Sequence, residues 1–237
     1  MTALLHAELL KLRTTRTFAA VVGTATVLSL ILVALGASLG VEKDPHALFT
    51  NNSITYIIVL LGAIGMTGEW RHRTITGSIL AAPDRVRLLA AKALSYSVAG
   101  VLLSLGVTVA TMVVGTVILG SRGEATLGSG ELADVLWRNL AVAALLGPLG
   151  VCIGALIRNQ VVTVIGLIVV AAALEPPLLH AVPSVGRFGP LFGAPGGILG
   201  VDEIGLLAPG IALATLVAWI AVTFLAAATR LRRRDLV

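Results

Sequence analysis

Few residues of this chain have the types and spacing that chemistry requires. A P-loop needs a lysine followed directly by serine or threonine, because these side chains hold the phosphates and Mg²⁺. The three lysines, Lys11, Lys43 and Lys92, are followed by Leu, Asp and Ala instead. The four histidines are dispersed, with no pair at the spacing of zinc ligands. We therefore expect neither a P-loop site nor a zinc site in this sequence.

Long uncharged stretches dominate the sequence instead. Hydrophobic residues make up 57% of the chain and charged residues only 12%, which is far from the balance of soluble proteins. About 20 helical residues cross a hydrocarbon core of roughly 30 Å. We predict an all-α, polytopic membrane protein with six transmembrane helices. The predicted spans are residues 18–39, 47–68, 93–119, 138–157, 160–175 and 207–229.

The borders of the first, fourth and fifth spans need separate arguments. The first uncharged stretch has 22 residues, more than the roughly 7–15 of a signal-peptide core, so we treat it as a retained span. Residues 139–174 would make one helix of roughly 54 Å, too long for a bilayer. Arg158-Asn159-Gln160 is therefore predicted as a tight turn facing the cytoplasm. Glu175-Pro176-Pro177 is predicted to end the fifth span, with Glu175 as a solvated span end rather than a substrate contact.

The distribution of basic residues predicts the orientation. Thirteen Lys and Arg residues fall on the side that carries both termini, and four fall on the other. Positive residues mark the cytoplasmic side, so both termini are predicted to be cytoplasmic and the protein to be multi-pass in the cell membrane. The alternative explanation of this positive charge, nucleic-acid binding, lacks a basic helix or soluble domain to carry it.

Three further segments flank the spans. Residues 2–16 are predicted as an interfacial helix with Leu5, Leu9 and Leu12 on one face, the alternative being a cytoplasmic extension of the first span. The outer loop 176–206 alternates proline and glycine with apolar residues, which predicts short re-entrant helices between spans five and six. The Gly150-x-x-x-Gly154 spacing allows close helix contact, although it is only weak support for a dimer interface.

No predicted span carries a charged residue near its middle. Transporters driven by ion gradients usually need an acid or histidine there to bind the coupled ion. Glu69 and Glu175 lie at span ends instead. Any transport by this chain is therefore expected to take its energy from elsewhere.

The segment 69–92, between spans two and three, suggests the source of that energy. Glu69 is followed by Arg71-His72-Arg73-Thr74-Ile75 and then by Ile79-Leu80-Ala81-Ala82-Pro83. Together with Glu8-Leu9-x-Lys11-Leu12-Arg13 and the glycines that precede Arg158, this pattern resembles the membrane subunit of type-2 ATP-binding-cassette (ABC) exporters. One departure is Arg73, because many members have glycine before the threonine.

The resemblance implies a role for each part of the chain. Residues 75–83 would form a coupling helix docked on a separate ATPase subunit that holds ATP and Mg²⁺, and no cofactor is expected in this chain. Residues 2–16 would be the connecting helix at the membrane surface. Substrate would pass between two permease chains, identical or paralogous, lined mainly by spans two and five. The residues that the resemblance assigns to coupling are Glu69, Arg71, Arg73, Thr74, Thr76, Gly77, Ser78, Ile79, Leu80 and Pro83.

Simpler explanations exist for several of these residues. Glu69 and Trp70 could anchor the span at the membrane interface, where charged and aromatic side chains are favoured. Arg71 and Arg73 could serve only to set the topology.

The predicted function is that of an ABC exporter permease, not itself an enzyme, which moves an apolar or amphipathic compound such as a drug, an antibiotic or a lipid. The first alternative is an ATP-independent six-span channel or facilitator, for which no stable partner is expected. An intramembrane enzyme or a purely structural subunit is the other alternative, and an enzyme would need a polar cluster inside the bilayer.

Overall fold

Six helical stretches long enough to cross a membrane dominate the fold. The computed structural model describes residues 2–40, 44–50, 54–74, 77, 84–201 and 205–233. Every regular element within these residues is a helix. This confirms the all-α prediction with six candidate spans. The stretches that qualify by length and hydropathy are Phe18–Leu39, Pro45–Arg71, Arg85–Ser121, Ser129–Ile157, Gln160–Ala181 and Pro209–Arg232.

The helices are numbered in chain order. In the first half they are α1 (Thr2–Thr14), α2 (Arg16–Leu39), α3 (Pro45–Thr50), α4 (Ile54–Arg71) and α5 (Arg85–Ser121). In the second half they are α6 (Ser129–Ile157), α7 (Gln160–Val169), α8 (Glu175–Ala181), α9 (Pro183–Gly186), α10 (Gly193–Leu199) and α11 (Pro209–Arg233). A π-helical turn, Val170–Leu174, joins α7 to α8.

Glycines let α4 and α6 approach each other at backbone distance in the centre of the bundle. A Cβ built on Gly150 would overlap the carbonyl oxygen of Val59, and one built on Gly62 would overlap that of Gly147. Small residues permit such contact where lipid offers no hydrophobic force to join helices. The Gly150-x-x-x-Gly154 face therefore packs against α4 within this chain, and the suggested dimer interface does not apply to it.

Helix α5 begins well before the third predicted span. Asp84 caps it, because its carboxylate accepts hydrogen bonds from the backbone N–H groups of Val86 and Arg87, both at 3.1 Å. The helix then runs without interruption to Ser121. Lys92, the last residue of the segment 69–92, therefore lies within this helix.

The predicted turn between the fourth and fifth spans is confirmed. Arg158 ends α6 in the left-handed conformation with φ of 61°. Asn159 then caps α7 by accepting a hydrogen bond from the backbone N–H of Val162 at 3.2 Å.

The helical path of the fifth span continues beyond Glu175 rather than ending there. Pro176 and Pro177 lie in the first turn of α8, where a missing backbone N–H breaks no hydrogen bond. The π-turn ahead of them marks the change from α7 to α8. Helices α8, α9 and α10 form the segment before the sixth span, and their re-entrant character stays a prediction.

Candidate functional site

Four charged side chains from three helices meet at one end of the bundle. The Lys92 Nζ of α5 lies 2.6 Å from Glu8 Oε2 of α1 and 2.8 Å from Glu69 Oε1 of α4. The Lys11 Nζ of α1 lies 2.7 Å from the same Glu69 oxygen and 3.4 Å from Glu8 Oε1. These contacts close a ring of alternating charges, which we call the charge ring. It joins the helices on both sides of the segment 72–84.

Burial makes three members of the charge ring energetically significant. Glu8 is 5% exposed, Glu69 is 6% exposed and Lys92 is 2% exposed. A charge removed from water is costly unless an opposite charge and hydrogen bonds compensate for it. Two carboxylates and two ammonium groups leave the ring neutral, and Lys92 donates to both carboxylates. The ring is therefore stable only while all the buried members are present.

Lys11 differs from the others because its side chain is 49% exposed. Partial burial alone would lower the pKa of Lys11. The hydrogen bond and charge of Glu69, together with the charge of Glu8, outweigh that effect, so that the pKa is raised. Lys11 consequently stays protonated at neutral pH and presents its charge at the outer edge of the ring.

The local sequence places the charge ring at helix ends. Glu8 and Lys11 are one turn apart on α1, which packs against α5. Helix α4 ends just after Glu69 in a Schellman motif: the Thr74 N–H bonds the Glu69 carbonyl at 3.0 Å, and the Arg73 N–H bonds that of Trp70 at 3.3 Å. Arg73 has φ of 56°, the left-handed conformation that a glycine adopts without steric cost. Glycine would therefore suit this position better than arginine.

A cavity of about 340 Å³ lies beside the charge ring. The ring forms a charged part of its wall, and apolar and uncharged polar residues form the remainder. Thr15 and Phe18, at the corner between α1 and α2, close one side. The other lining residues are Leu12, Leu61, Ile64, Gly65, Gly68, His72, Thr74, Tyr96 and Gln160.

Arginines fasten the remaining helix ends at the same end of the bundle. The Arg85 Nη1 donates to the Leu231 carbonyl at 2.8 Å, and the Arg230 Nη1 donates to that of Leu156 at 2.6 Å. The Arg158 guanidinium lies 4.6 Å from the Trp70 ring centre, in cation–π geometry. Cations suit the last carbonyls of a helix, which carry partial negative charge. We call this the basic end of the bundle.

The structure describes five of the predicted coupling residues, and their surroundings differ. They are Glu69, Arg71, Arg73, Thr74 and Gly77. Glu69 belongs to the charge ring. Arg71 bonds the Gln160 Oε1 of α7 at 3.3 Å, and Arg73 and Thr74 form the exposed end of α4. Gly77 is exposed and helical. The predictions for Thr76, Ser78, Ile79, Leu80 and Pro83 lie outside the described residues.

Sequence reasoning missed Glu8, Lys11 and Lys92 as site residues. A weak signal was present for Glu8 and Lys92. Glu8 lies between Leu5 and Leu12 on the apolar face of α1, and Lys92 lies between two alanines. A charged residue in such a position needs a partner when its face is buried.

A third buried acid, Glu175, lies at the opposite end of the bundle. The Glu175 carboxylate accepts hydrogen bonds from the backbone N–H groups of Leu191 at 3.0 Å, Phe192 at 2.5 Å and Gly193 at 3.3 Å. Glu175 is 4% exposed. The expectation of a solvated span end is therefore wrong, because the chain folds back and three N–H donors replace water. Glu175 holds the turn that leads into α10.

Replacing Glu175 tests this structural role. The Glu175→Gln variant loses the negative charge and turns an amide N–H₂ group toward backbone donors. We expect a loss of about 1.5–3 kcal/mol of stability, the range for hydrogen bonds to charged groups. Thermal unfolding in detergent measures it. Glu124→Gln is the control, since Glu124 is 42% exposed and pairs with Arg122 at the surface. Equal melting of the two variants would refute the capping role.

Within the described residues, the geometry forms neither a nucleophile elbow at Ser38 nor a metal site. Gly36-Ala37-Ser38-Leu39-Gly40 has the glycine–serine spacing of a nucleophile elbow, but it lies at the end of α2 and not in a strand-to-helix turn. Across the part of the chain that the structure describes, no three His, Cys, Asp or Glu side chains group as a metal site.

Comparison with known protein families finds one whose pattern matches most of this sequence. The family described as ABC-2 family transporter protein matches residues 4–173. The match begins in α1, includes all four residues of the charge ring and ends in the π-turn before α8. A search of curated proteins found no match to the chain.

Proposed function

We propose that this chain exports an apolar or amphipathic compound. The chain belongs to the ABC-2 transporter family and is the permease subunit of an ABC transporter. Membership of the family implies a multi-pass membrane protein associated with ABC ATPase subunits. The proposal adds outward transport at the cell membrane, driven by ATP that a separate subunit hydrolyses with Mg²⁺. A drug, an antibiotic or a lipid would be the cargo.

The charge ring is the observation that carries this proposal. It connects α4 and α5, the two helices that flank the segment 75–83, and ties both to α1. A force that an ATPase subunit exerts on this segment would reach the three helices together, since a buried ion pair resists separation. If the permease has two conformations, and each state of the ATPase binds one of them more tightly, ATP hydrolysis would then drive transport.

Apolar side chains exposed on the surface of the bundle support the proposal of a second permease chain and an apolar cargo. Large apolar side chains are exposed along α2, α7 and α11, including Ile31, Ile165 and Val222. These faces suit both lipid and a partner chain. We propose a dimer, of identical or paralogous chains, with the pathway between them.

The proposed orientation puts the basic end in the cytoplasm. Its support is the sequence, in which thirteen Lys and Arg fall on that side of the predicted spans and four on the other. A cysteine that replaces Arg122, at the opposite end, is then expected to react with an impermeant reagent in intact cells. Reaction only after permeabilisation would reverse the orientation.

Purification in mild detergent, with every co-eluting chain identified by mass, tests the ATP-driven function. We expect a stoichiometric subunit that carries a P-loop, and substrate-stimulated ATPase activity in the complex. Recovery of the chain alone across several detergents would favour the ATP-independent facilitator.

Arg73 allows a finer test of coupling. Its side chain is exposed at the end of α4, so Arg73→Ala is expected to leave expression intact. The transport-coupled ATPase rate should fall about 2- to 30-fold, the effect of losing roughly 0.5–2 kcal/mol of coupling. The rate of Arg73→Gly should fall by the same factor if the guanidinium group is responsible, because glycine keeps the backbone turn. Arg87→Ala, with a side chain 72% exposed on α5, is the control. Unchanged coupling in both Arg73 variants would contradict the role.

A further inference from the structure

The cavity beside the charge ring has an apolar interior and a polar mouth. Leu12 and Leu61, respectively 8% and 4% exposed, belong to its apolar lining, together with Phe18 and Ile64. Its volume of about 340 Å³ lies at the lower limit of ligand pockets in proteins. It can therefore hold a small headgroup and the first part of an apolar chain, but not a whole lipid.

The ionisable side chains that a ligand can reach at the mouth are basic residues. Of the ionisable side chains that line the cavity, Glu8, Glu69 and Lys92 are buried, and Lys92 bonds both carboxylates. Lys11 and His72 are the exposed ones. Arg71 adds a positive charge to that of Lys11, because it donates a hydrogen bond to Gln160, which also lines the cavity. A ligand with an anionic head and an apolar tail matches this distribution.

We propose that this cavity binds one membrane phospholipid with an anionic headgroup, with the phosphate beside Lys11 and His72 and an acyl chain among the apolar side chains. Basic pockets between transmembrane helices are suited to such headgroups. The bound lipid shares the Lys11 ammonium with Glu69 and so touches the junction of α1 and α4. Lipid composition thereby acts on the end of α4 where the segment 75–83 begins. This inference does not depend on the direction of transport.

A cavity-filling variant separates binding from folding. Gly68 lines the cavity, and a Cβ built on it meets no atom within 4 Å. The Cβ that Gly68→Leu adds therefore meets no neighbour, and we expect the leucine side chain to occupy part of the cavity that Gly68 lines. Leucine is also a better helix former than glycine. Gly106→Leu is the matched control, because Gly106 also has open space around its Cβ and lies on the exposed face of α5.

Native mass spectrometry of the delipidated full chain, with any bound ATPase subunit, measures the binding. The probes are phosphatidylglycerol, phosphatidylcholine with the same acyl chains, and inorganic phosphate. We expect one tightly held phosphatidylglycerol per chain, with a Kd at least about fivefold below that of phosphatidylcholine. Lys11→Ala should remove most of this preference, and Lys11→Arg should keep it. Gly68→Leu should abolish the tight binding, and Gly106→Leu should leave it unchanged.

Three results would overturn the proposal. Equal affinity for the two lipids in the unmodified chain would remove the role of the anionic headgroup. Tight binding that survives Gly68→Leu would place the lipid elsewhere on the surface. Inorganic phosphate that displaces phosphatidylglycerol at equal concentration would make this a site for free phosphate and not for a lipid.

Discussion

Replacement of Lys92 by alanine is expected to destabilise the protein more than any other single change in the charge ring. Lys92 is 2% exposed and bonds both buried carboxylates, Glu8 at 2.6 Å and Glu69 at 2.8 Å. Without it, only the half-exposed Lys11 compensates two buried negative charges. Removal of one partner from a buried ion pair costs about 3–5 kcal/mol. Thermal unfolding of the purified protein in detergent, with folded yield, measures the loss.

A neutral version of the charge ring identifies the cause. The triple variant Glu8→Gln, Glu69→Gln and Lys92→Met keeps the approximate side-chain volumes and removes the buried charges. We expect it to be more stable than Lys92→Ala, because no carboxylate is left without a buried cation. Arg87→Ala is the surface control, expected to change stability by less than about 1 kcal/mol. If Lys92→Ala melted like this control, the ring would contribute nothing to the fold.

The second large effect is expected at Gly150, where α6 meets the backbone of α4. A Cβ at this position would overlap the Val59 carbonyl oxygen and lie 3.0 Å from the Ala63 nitrogen. A backbone carbonyl within a helix cannot rotate away as a side chain can, so α4 and α6 must separate. Overpacking costs about 1–3 kcal/mol even when side chains can adjust. We expect Gly150→Leu to lower the free energy of unfolding by about 3 kcal/mol or more, so that little folded protein is recovered.

A graded comparison at two glycines tests the explanation. Gly150→Ala should lower the melting temperature, and Gly150→Leu should lower it further. The same replacements at Gly106, where the added Cβ meets nothing within 4 Å, should be neutral or slightly stabilising. Similar melting temperatures for the two alanine variants would mean that α4 and α6 do not touch at Gly150.

Much of the fold could be predicted because the membrane imposes strong local rules. Charged residues are costly in hydrocarbon, so six uncharged stretches of sufficient length predict six helices. The turn at Arg158 follows from the same rule, since a single helix would be too long. The charged residues around Glu69 and the uncharged pattern of residues 75–83 sufficed to indicate the family, although much of that segment lies outside the described residues.

Sequence alone therefore determined the class, the number of spans and the family, and tertiary structure decided which charges are buried and paired. Glu8 and Lys92 are 84 residues apart, and Glu175 is 16 residues or more from its three N–H donors. Hydropathy describes each residue with its chain neighbours and is blind to such pairs. It therefore indicated a solvated Glu175 and gave Lys92 no role in the site. Helix packing excluded water from both residues, and burial is what converts a surface charge into an ion pair or a cap on which the fold depends.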